Sequence, residues 1–261
     1  MKTVRLRNLE VGAGAPKVIV PIVGRTREDI LAQAARAAEL APDAVEWRAD
    51  FYEEVSDLPK ALEALRALRG VLGEVPLLFT FRTRREGGEQ DIDPEDYAAL
   101  NIAAARSGEA DGVDVEILSG EEIVREIIGA VHAAGKVVVG SSHDHAGTPP
   151  RAELIARLRR AQDLGADLPK MAVMPRSRAD VLTLLSASEE MVRLWADRPI
   201  ITMSMAGEGA VSRLCGEVFG SAMTFGTAGQ ASAPGQVPVE ELRLVLDVLH
   251  RSLNPERGRG L

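Results

Sequence analysis

Residues 112–142 hold one complete unit of the fold. Gly112-Val113-Asp114-Val115-Glu116-Ile117 is followed by Ile123, Val124, Ile127, Ile128 and Val131 at helical spacing, then by Lys136-Val137-Val138-Val139-Gly140-Ser141-Ser142. Two β-branched runs bracketing an amphipathic segment predict strand, helix and parallel strand. Outward from this unit the pattern recurs. Strands are expected at Lys17–Val23, Ala44–Arg48, Pro76–Arg82, Gly112–Ile117, Lys136–Ser142, Pro169–Met174, Pro199–Met203 and Ala222–Gly226. Each interval between their starts has room for one strand and one helix. Leu58, Leu62, Leu65, Leu68 and Leu72 share a helical face, as do Leu242, Val245, Leu246 and Leu249. Helix starts are signalled by Thr26 ahead of Glu28-Asp29, by Asp57 ahead of Leu58, and by Asp93-Pro94. Eight alternations predict a closed (β/α)8 TIM barrel, with an open doubly wound sheet as the alternative.

The chain of 261 residues fits one barrel domain spanning 1–261. Residues 1–15 fall outside the eight units. Alternation over Thr3–Leu9, followed by Gly12–Gly14, predicts an added N-terminal β-hairpin closing one end, and the tail Asn254–Leu261 is expected to fray. A net charge of −8 with 3 % aromatics argues against binding of nucleic acid or an anionic membrane. Cys215 is the sole cysteine, so no internal disulfide forms, and no Cys/His zinc cluster is visible. Without a signal-peptide pattern or an apolar run of about 20 residues, a cytoplasmic protein is expected.

Barrel interiors are normally filled by branched apolar side chains, yet several strands here carry charge. Glu46 and Arg48 share a face in Val45-Glu46-Trp47-Arg48, Arg82 ends Phe79-Thr80-Phe81-Arg82, Asp114 and Glu116 repeat the spacing, and His143 follows the fifth strand. An unpaired buried charge costs several kcal/mol, so such a set needs partners or a polar ligand. Asp114 and Glu116 read as a structural ion-pair network. Glu46, Arg48 and Arg82 lie towards carboxyl ends of strands, where barrel enzymes place their sites.

Lysine is scarce, five against 26 arginines, which draws attention to Lys170 inside Leu168-Pro169-Lys170-Met171-Ala172-Val173. Arginine cannot form an imine, whereas a desolvated lysine can. Leu168, Met171 and Met203 are candidates for its dry surroundings, and pairing with Asp114 or Glu116 is the alternative reading. Ser141-Ser142-His143-Asp144-His145 supplies imidazoles for proton transfer beside a carbonyl, with Asp144 or Glu86 as the orienting carboxylate. Gly207-Glu208-Gly209 resembles a phosphate loop only weakly, because Glu208 would repel a dianion. Arg213 is the better anion anchor. Thr227–Gln236, containing Ser232-Ala233-Pro234-Gly235-Gln236, has the composition of a lid.

Together these motifs resemble the type I 3-dehydroquinate dehydratases, the imine-forming class. The matching stretches are Glu46-Trp47-Arg48-Ala49-Asp50, Phe79-Thr80-Phe81-Arg82, Glu86-Gly87-Gly88-Glu89, His143-Asp144, Lys170-Met171-Ala172, Met203-Ser204-Met205, Ser212-Arg213 and Ser232-Ala233-Pro234-Gly235-Gln236, in family order. The resemblance implies a homodimeric barrel of the shikimate pathway that needs no cofactor or metal and takes 3-dehydroquinate as its small-molecule substrate. It implies an imine on Lys170, proton transfer by His143 and tuning of His143 by Glu86. It further implies that Arg213 and Gln236 bind the substrate carboxylate, with Glu46, Arg48, Arg82 and Ser232 binding hydroxyls or closing the lid. Pro21 departs from a serine seen in several members, and His145 from a common aromatic. The residues alone also admit another imine-forming aldolase-type barrel, or a silent barrel that binds a polyhydroxy acid.

Overall fold

The computed structural model describes residues 2–229 and 231–255. A short antiparallel hairpin, β1 (Val4–Leu6) and β2 (Leu9–Val11), precedes the barrel. The barrel strands are β3 (Lys17–Ile22), β4 (Ala44–Arg48), β5 (Leu77–Thr80), β6 (Gly112–Glu116), β7 (Val137–Asp144), β8 (Leu168–Val173), β9 (Ile201–Ser204) and β10 (Met223–Thr227). Their order is β10-β3-β4-β5-β6-β7-β8-β9 and every pairing is parallel. Outside lie α1 (Arg27–Glu39), α2 (Leu58–Leu72), α3 (Pro94–Arg106), α4 (Glu121–Ala133), α5 (Arg151–Leu164), α6 (Arg178–Leu194), α7 (Ala206–Leu214), α8 (Gly216–Phe219) and α9 (Val239–Leu253).

The sheet curls until β9 meets β10. Their ladder is minimal: Ile200 bridges Ser221, and the Ala222 N–H donates to the Ile200 carbonyl at 2.8 Å. The Ser221 hydroxyl does the remaining work of pairing. It accepts from the Thr202 N–H at 2.9 Å and lies 3.2 Å from the carbonyls of Thr202 and Met223. A serine thus substitutes for backbone at the seam, meeting the rule that buried backbone donors be paired.

Alternation along each strand sorts side chains to two sides. Outward residues such as Trp47, Phe79 and Phe81 pack with Tyr97 and the helices in one continuous core. Helix α4 buries Val124, Ile127, Ile128 and Val131, the expected face. On α9, Leu242 and Leu246 are buried but Val245 is exposed, a correction to the expected stripe. Thr26 and Asp57 cap α1 and α2 by accepting from Asp29 and Lys60 N–H at 3.2 Å each. Asp93 makes no such side-chain bond.

Inward residues divide by height. At the base, Leu6 and Val11 of the hairpin close the barrel beneath Ile19, Ala44, Leu78, Val139, Leu168, Ile201 and Met223. Arg7, at the hairpin turn with φ 55°, reaches Asp111 at 3.3 Å and Glu74 at 2.8 Å. Towards the carboxyl ends the interior turns charged.

Two strand limits differ from expectation for identifiable reasons. Strand β5 stops at Thr80 because the next amides go to carboxylates: Arg82 N–H to Asp50 and Thr83 N–H to Glu116. Strand β7 runs on to Asp144, so His143 lies within it, opposite Ala172, rather than after it. A further short strand, β11 (Val237–Pro238), pairs with the end of β10 and was not anticipated. Of the tail expected to fray, Asn254 bonds back to the His250 carbonyl at 2.9 Å, and residues 256–261 lie outside the described residues.

The seam yields the first prediction. Ser221→Ala leaves the buried Thr202 N–H unpaired and should cost about 1–3 kcal/mol of stability. Denaturant unfolding of the variant checks this, and an unchanged midpoint would show that the hydroxyl does not hold the seam.

Candidate active site

Glu46, Arg48, Arg82, Glu86, His143, Lys170, Arg213, Ser232 and Gln236 all line one cavity at the carboxyl end of the barrel. Lys170, third residue of β8, is 4 % exposed. Its Nζ donates to Asp114 Oδ2 at 3.0 Å, stands 3.8 Å from Glu46 Oε1, and lies 4.8 Å from the Phe225 ring centroid. The expected dry wall is corrected in part. Met203 lines the cavity, but Met171 points out towards α5 and α6 and Leu168 belongs to the layer below. Phe225, Ala172 and Met205 complete the apolar wall. Phe225 was missed, although it shares strand parity with inward-facing Met223.

His143 stands two residues further along the neighbouring strand, since Ser141 pairs with Lys170. Its Nδ1 is 3.0 Å from Glu86 Oε2, and the same oxygen accepts the His143 backbone N–H at 2.9 Å. Glu86 is therefore the orienting carboxylate. Asp144 instead accepts from the Ala146 and Gly147 amides, with Arg157 at 3.3 Å. Burial holds the His143 imidazole well below its ordinary value, and the charges of Arg82, Lys170 and Arg48 push the same way. Burial also raises the Glu86 carboxyl to about 8, against the pull of Arg82.

The turn bearing Glu86 is tied down closely. His145 Nε2 bonds the Glu86 carbonyl at 3.0 Å, so this second imidazole serves the turn. Gly87 has φ 87°, and a Cβ there would lie 2.1 Å from that nitrogen; at Gly88 it would meet the Arg82 carbonyl at 1.8 Å. Neither position accepts a side chain.

The arginines have different surroundings. Arg82 donates to Asp114 at 2.7 Å, Ser141 at 2.9 Å and Glu116 at 3.1 Å, with Glu86 at 3.5 Å. Asp114 and Glu116 thus form the ion-pair network read from the sequence, and Glu116 also takes the Thr83 hydroxyl at 2.7 Å. Burial raises the Asp114 carboxyl, but Arg82 and Lys170 outweigh it and hold it at about 2. Arg48 is clamped by Asp50 through bonds of 2.8 and 2.7 Å, and its Nη1 reaches the Ser232 carbonyl at 3.4 Å. Asp50, which lies in a quoted motif, was assigned no task by sequence reasoning.

Arg213 is 1 % exposed and has no carboxylate partner among the described residues. Among the described residues its guanidinium hydrogen-bonds Met203 Sδ and the Pro234 carbonyl alone, both at 3.4 Å, and its Nε is unbonded. Burial lowers it to about 10. An isolated guanidinium in such a place is a site for an anion. Ser232 and Gln236 bond each other twice, at 2.9 and 3.0 Å, while Gly235 passes so close to Ala206 that a Cβ would fall 2.2 Å from its carbonyl. The Gly207-Glu208-Gly209 segment lies in α7, where Gly209 packs against Ser204, and Glu208 lines an outer groove. Glu208 therefore has no bearing on what enters the cavity. Pro21, opposite Glu46 in the register, brings no hydroxyl to it.

A family model described as type I 3-dehydroquinase matches residues 18–253. The chain belongs to the type I 3-dehydroquinase family. The 3-dehydroquinate dehydratase of Syntrophotalea carbinolica is 52 % identical over 96 % of this chain and 99 % of its own length. That of Bacillus licheniformis is 50 % identical over 97 % and 99 %. A crystal structure of type I 3-dehydroquinate dehydratase from Clostridium difficile, with covalently modified comenic acid, has TM-score 0.94 and 47 % identity, covering 96 % of this chain and 99 % of that one. The Geobacillus kaustophilus structure has TM-score 0.92 and 40 % identity, covering 95 % and 96 %. The sequence resemblance and the barrel are both borne out, and the chain is a lyase that dehydrates 3-dehydroquinate. A 3-hexulose-6-phosphate synthase at 19 % identity and TM-score 0.60 shares the fold alone.

The unpartnered cation gives a stability prediction. Arg213→Met replaces a desolvated charge by an apolar chain of similar volume and should stabilise the ligand-free protein by about 1–4 kcal/mol. Thermal denaturation measures it, and a lower Tm would mean that the guanidinium is already satisfied.

Proposed function

We propose that the dehydration runs through an imine on Lys170, with His143 moving the proton. The observation that carries this reading is the meeting of a buried amine and a largely buried imidazole, from adjacent strands, at one cavity. The Lys170 amine condenses with the C3 ketone of 3-dehydroquinate and, with one proton, gives an iminium and water. The iminium draws electrons as C2 loses its proton, so the protein's own nitrogen provides the electron sink.

Glu86 sets the working tautomer of His143. Its Oε2 already accepts the backbone N–H, so it accepts from Nδ1–H as well and leaves the Nε2 lone pair for C2. The resulting imidazolium is disfavoured by burial and three nearby cations. It therefore gives its proton up readily to the C1 hydroxyl, which departs as water. Hydrolysis of the imine releases 3-dehydroshikimate.

Arg213 and Gln236 hold the carboxylate in this reading. A single guanidinium–carboxylate contact at about 4 Å is worth roughly 4 kcal/mol before desolvation in a partly screened site. That local attraction outweighs the long-range repulsion from a chain of net charge −8, because distant charges are screened by salt. Glu46, Arg48 and Arg82 face the hydroxyl-bearing side of the ring. Ser232 redirects from Gln236 to substrate as the lid closes. The Clostridium difficile enzyme was crystallised with covalently modified comenic acid, which supports a nucleophile in this family.

Two experiments test the reading. Borohydride added with 3-dehydroquinate should leave a mass increment on Lys170. The same adduct should form in His143→Ala, whose turnover falls by a factor of about 10²–10⁴ or more. An adduct elsewhere, or full turnover in the variant, would refute the roles. Because His143 stays neutral to well below its ordinary value, the acidic limb of kcat/KM assigned to it should lie below pH 6.5. A limb at or above that value in a pH–rate profile contradicts it.

A further inference from the structure

We propose that Asp114 is the counter-ion of the Lys170 nitrogen in the iminium as well as in the free ammonium, a positioning role that rests on Lys170 carrying the imine. Asp114 is fully buried and does not line the cavity, so it acts on substrate only through Lys170. Its two oxygens are divided between tasks. Oδ1 is fixed by Arg82 Nη2 at 2.7 Å and the Ser141 hydroxyl at 2.5 Å, while Oδ2 accepts from Lys170 Nζ at 3.0 Å.

Arg82 does not need Asp114 for neutrality, because Glu116 lies at 3.1 Å from it. The carboxylate is thus held in place by one cation and offered to another. An iminium nitrogen keeps a single N–H, and Oδ2 is the acceptor already aligned with it. Protonation is what makes the imine an electron sink, and a fixed neighbouring anion keeps the proton on.

The other charges around this nitrogen do not offer the same service. Glu46 from β4 is farther, at 3.8 Å, faces the cavity and accepts from Thr80 at 2.9 Å. His143 from β7, backed by Glu86, is the proton carrier. Arg82 after β5, Arg48 at the end of β4 and Arg213 on α7 are cations that disfavour the charged nitrogen. Strands β9 and β10 present only Met203 and Phe225.

Cyanoborohydride, which reduces the protonated imine, provides the test. The protein is incubated with 3-dehydroquinate across a pH series and the Lys170 peptide is weighed. In Asp114→Asn the adduct should persist at acid pH, while its alkaline fall-off and the alkaline limb of kcat move down by one pH unit or more. Unmoved limbs, or no adduct at any pH in the folded variant, overturn the inference. Absence of a Lys170 adduct in the unaltered protein would instead overturn the imine assignment. If Asp114→Asn does not fold, Ser141→Ala decides: losing that hydroxyl concentrates the carboxylate's charge on Lys170, so the fall-off should move to higher pH. No upward movement there sinks the proposal.

Discussion

Everything at the carboxyl end of this barrel depends on keeping several charges out of water together. Arg82, Asp114, Glu116 and Lys170 are each buried, and none would persist alone, since an unpaired ion in such a place costs several kcal/mol. The solution is mutual. Arg82 binds three carboxylates, Asp114 passes charge on to Lys170, and Ser141 fills the remaining valences. The network fixes the amine's position without exposing it. It also explains why β5 ends where it does: the amides past Thr80 are spent on Asp50 and Glu116 instead of on the neighbouring strand.

Against this balanced set stands Arg213, with no anion within reach among the described residues. A network that satisfied every group would leave nothing for a ligand to gain, whereas a guanidinium held dry by Met203 and the lid gains most when a carboxylate arrives. On the proposed reading, stability is given up at that position in exchange for binding.

Much of this was legible in the residues. The eight strands were placed to within one or two residues at most ends, because β-branched runs and helical stripes rarely conflict here. The cavity residues were found because charges stood at inward parity where apolar residues belong, a signal that needs no structure. What remained hidden was contact across sequence distance. Nothing local shows that Glu86 rather than Asp144 reaches His143, 57 residues away. The seam serine was equally silent: Ser221 in isolation is an ordinary serine, and its task comes from β9 and β10 meeting over so short a ladder. Met171 turning outward beside Lys170 and Phe225 turning in beside Met223 follow from strand parity, and Asp50 lies only two residues from Arg48, so those three were readable and were missed.

The hairpin at the other end has a consequence for the chemistry above it. Leu6 and Val11 stopper the base, and Arg7 bolts the stopper to Asp111. The layer of Ile19, Ala44, Leu78, Val139, Leu168, Ile201 and Met223 already fills the interior below the charges, and the hairpin seals that layer from beneath. The first strands of the chain, far from any reacting atom, act as electrical insulation for the ions at the opposite end.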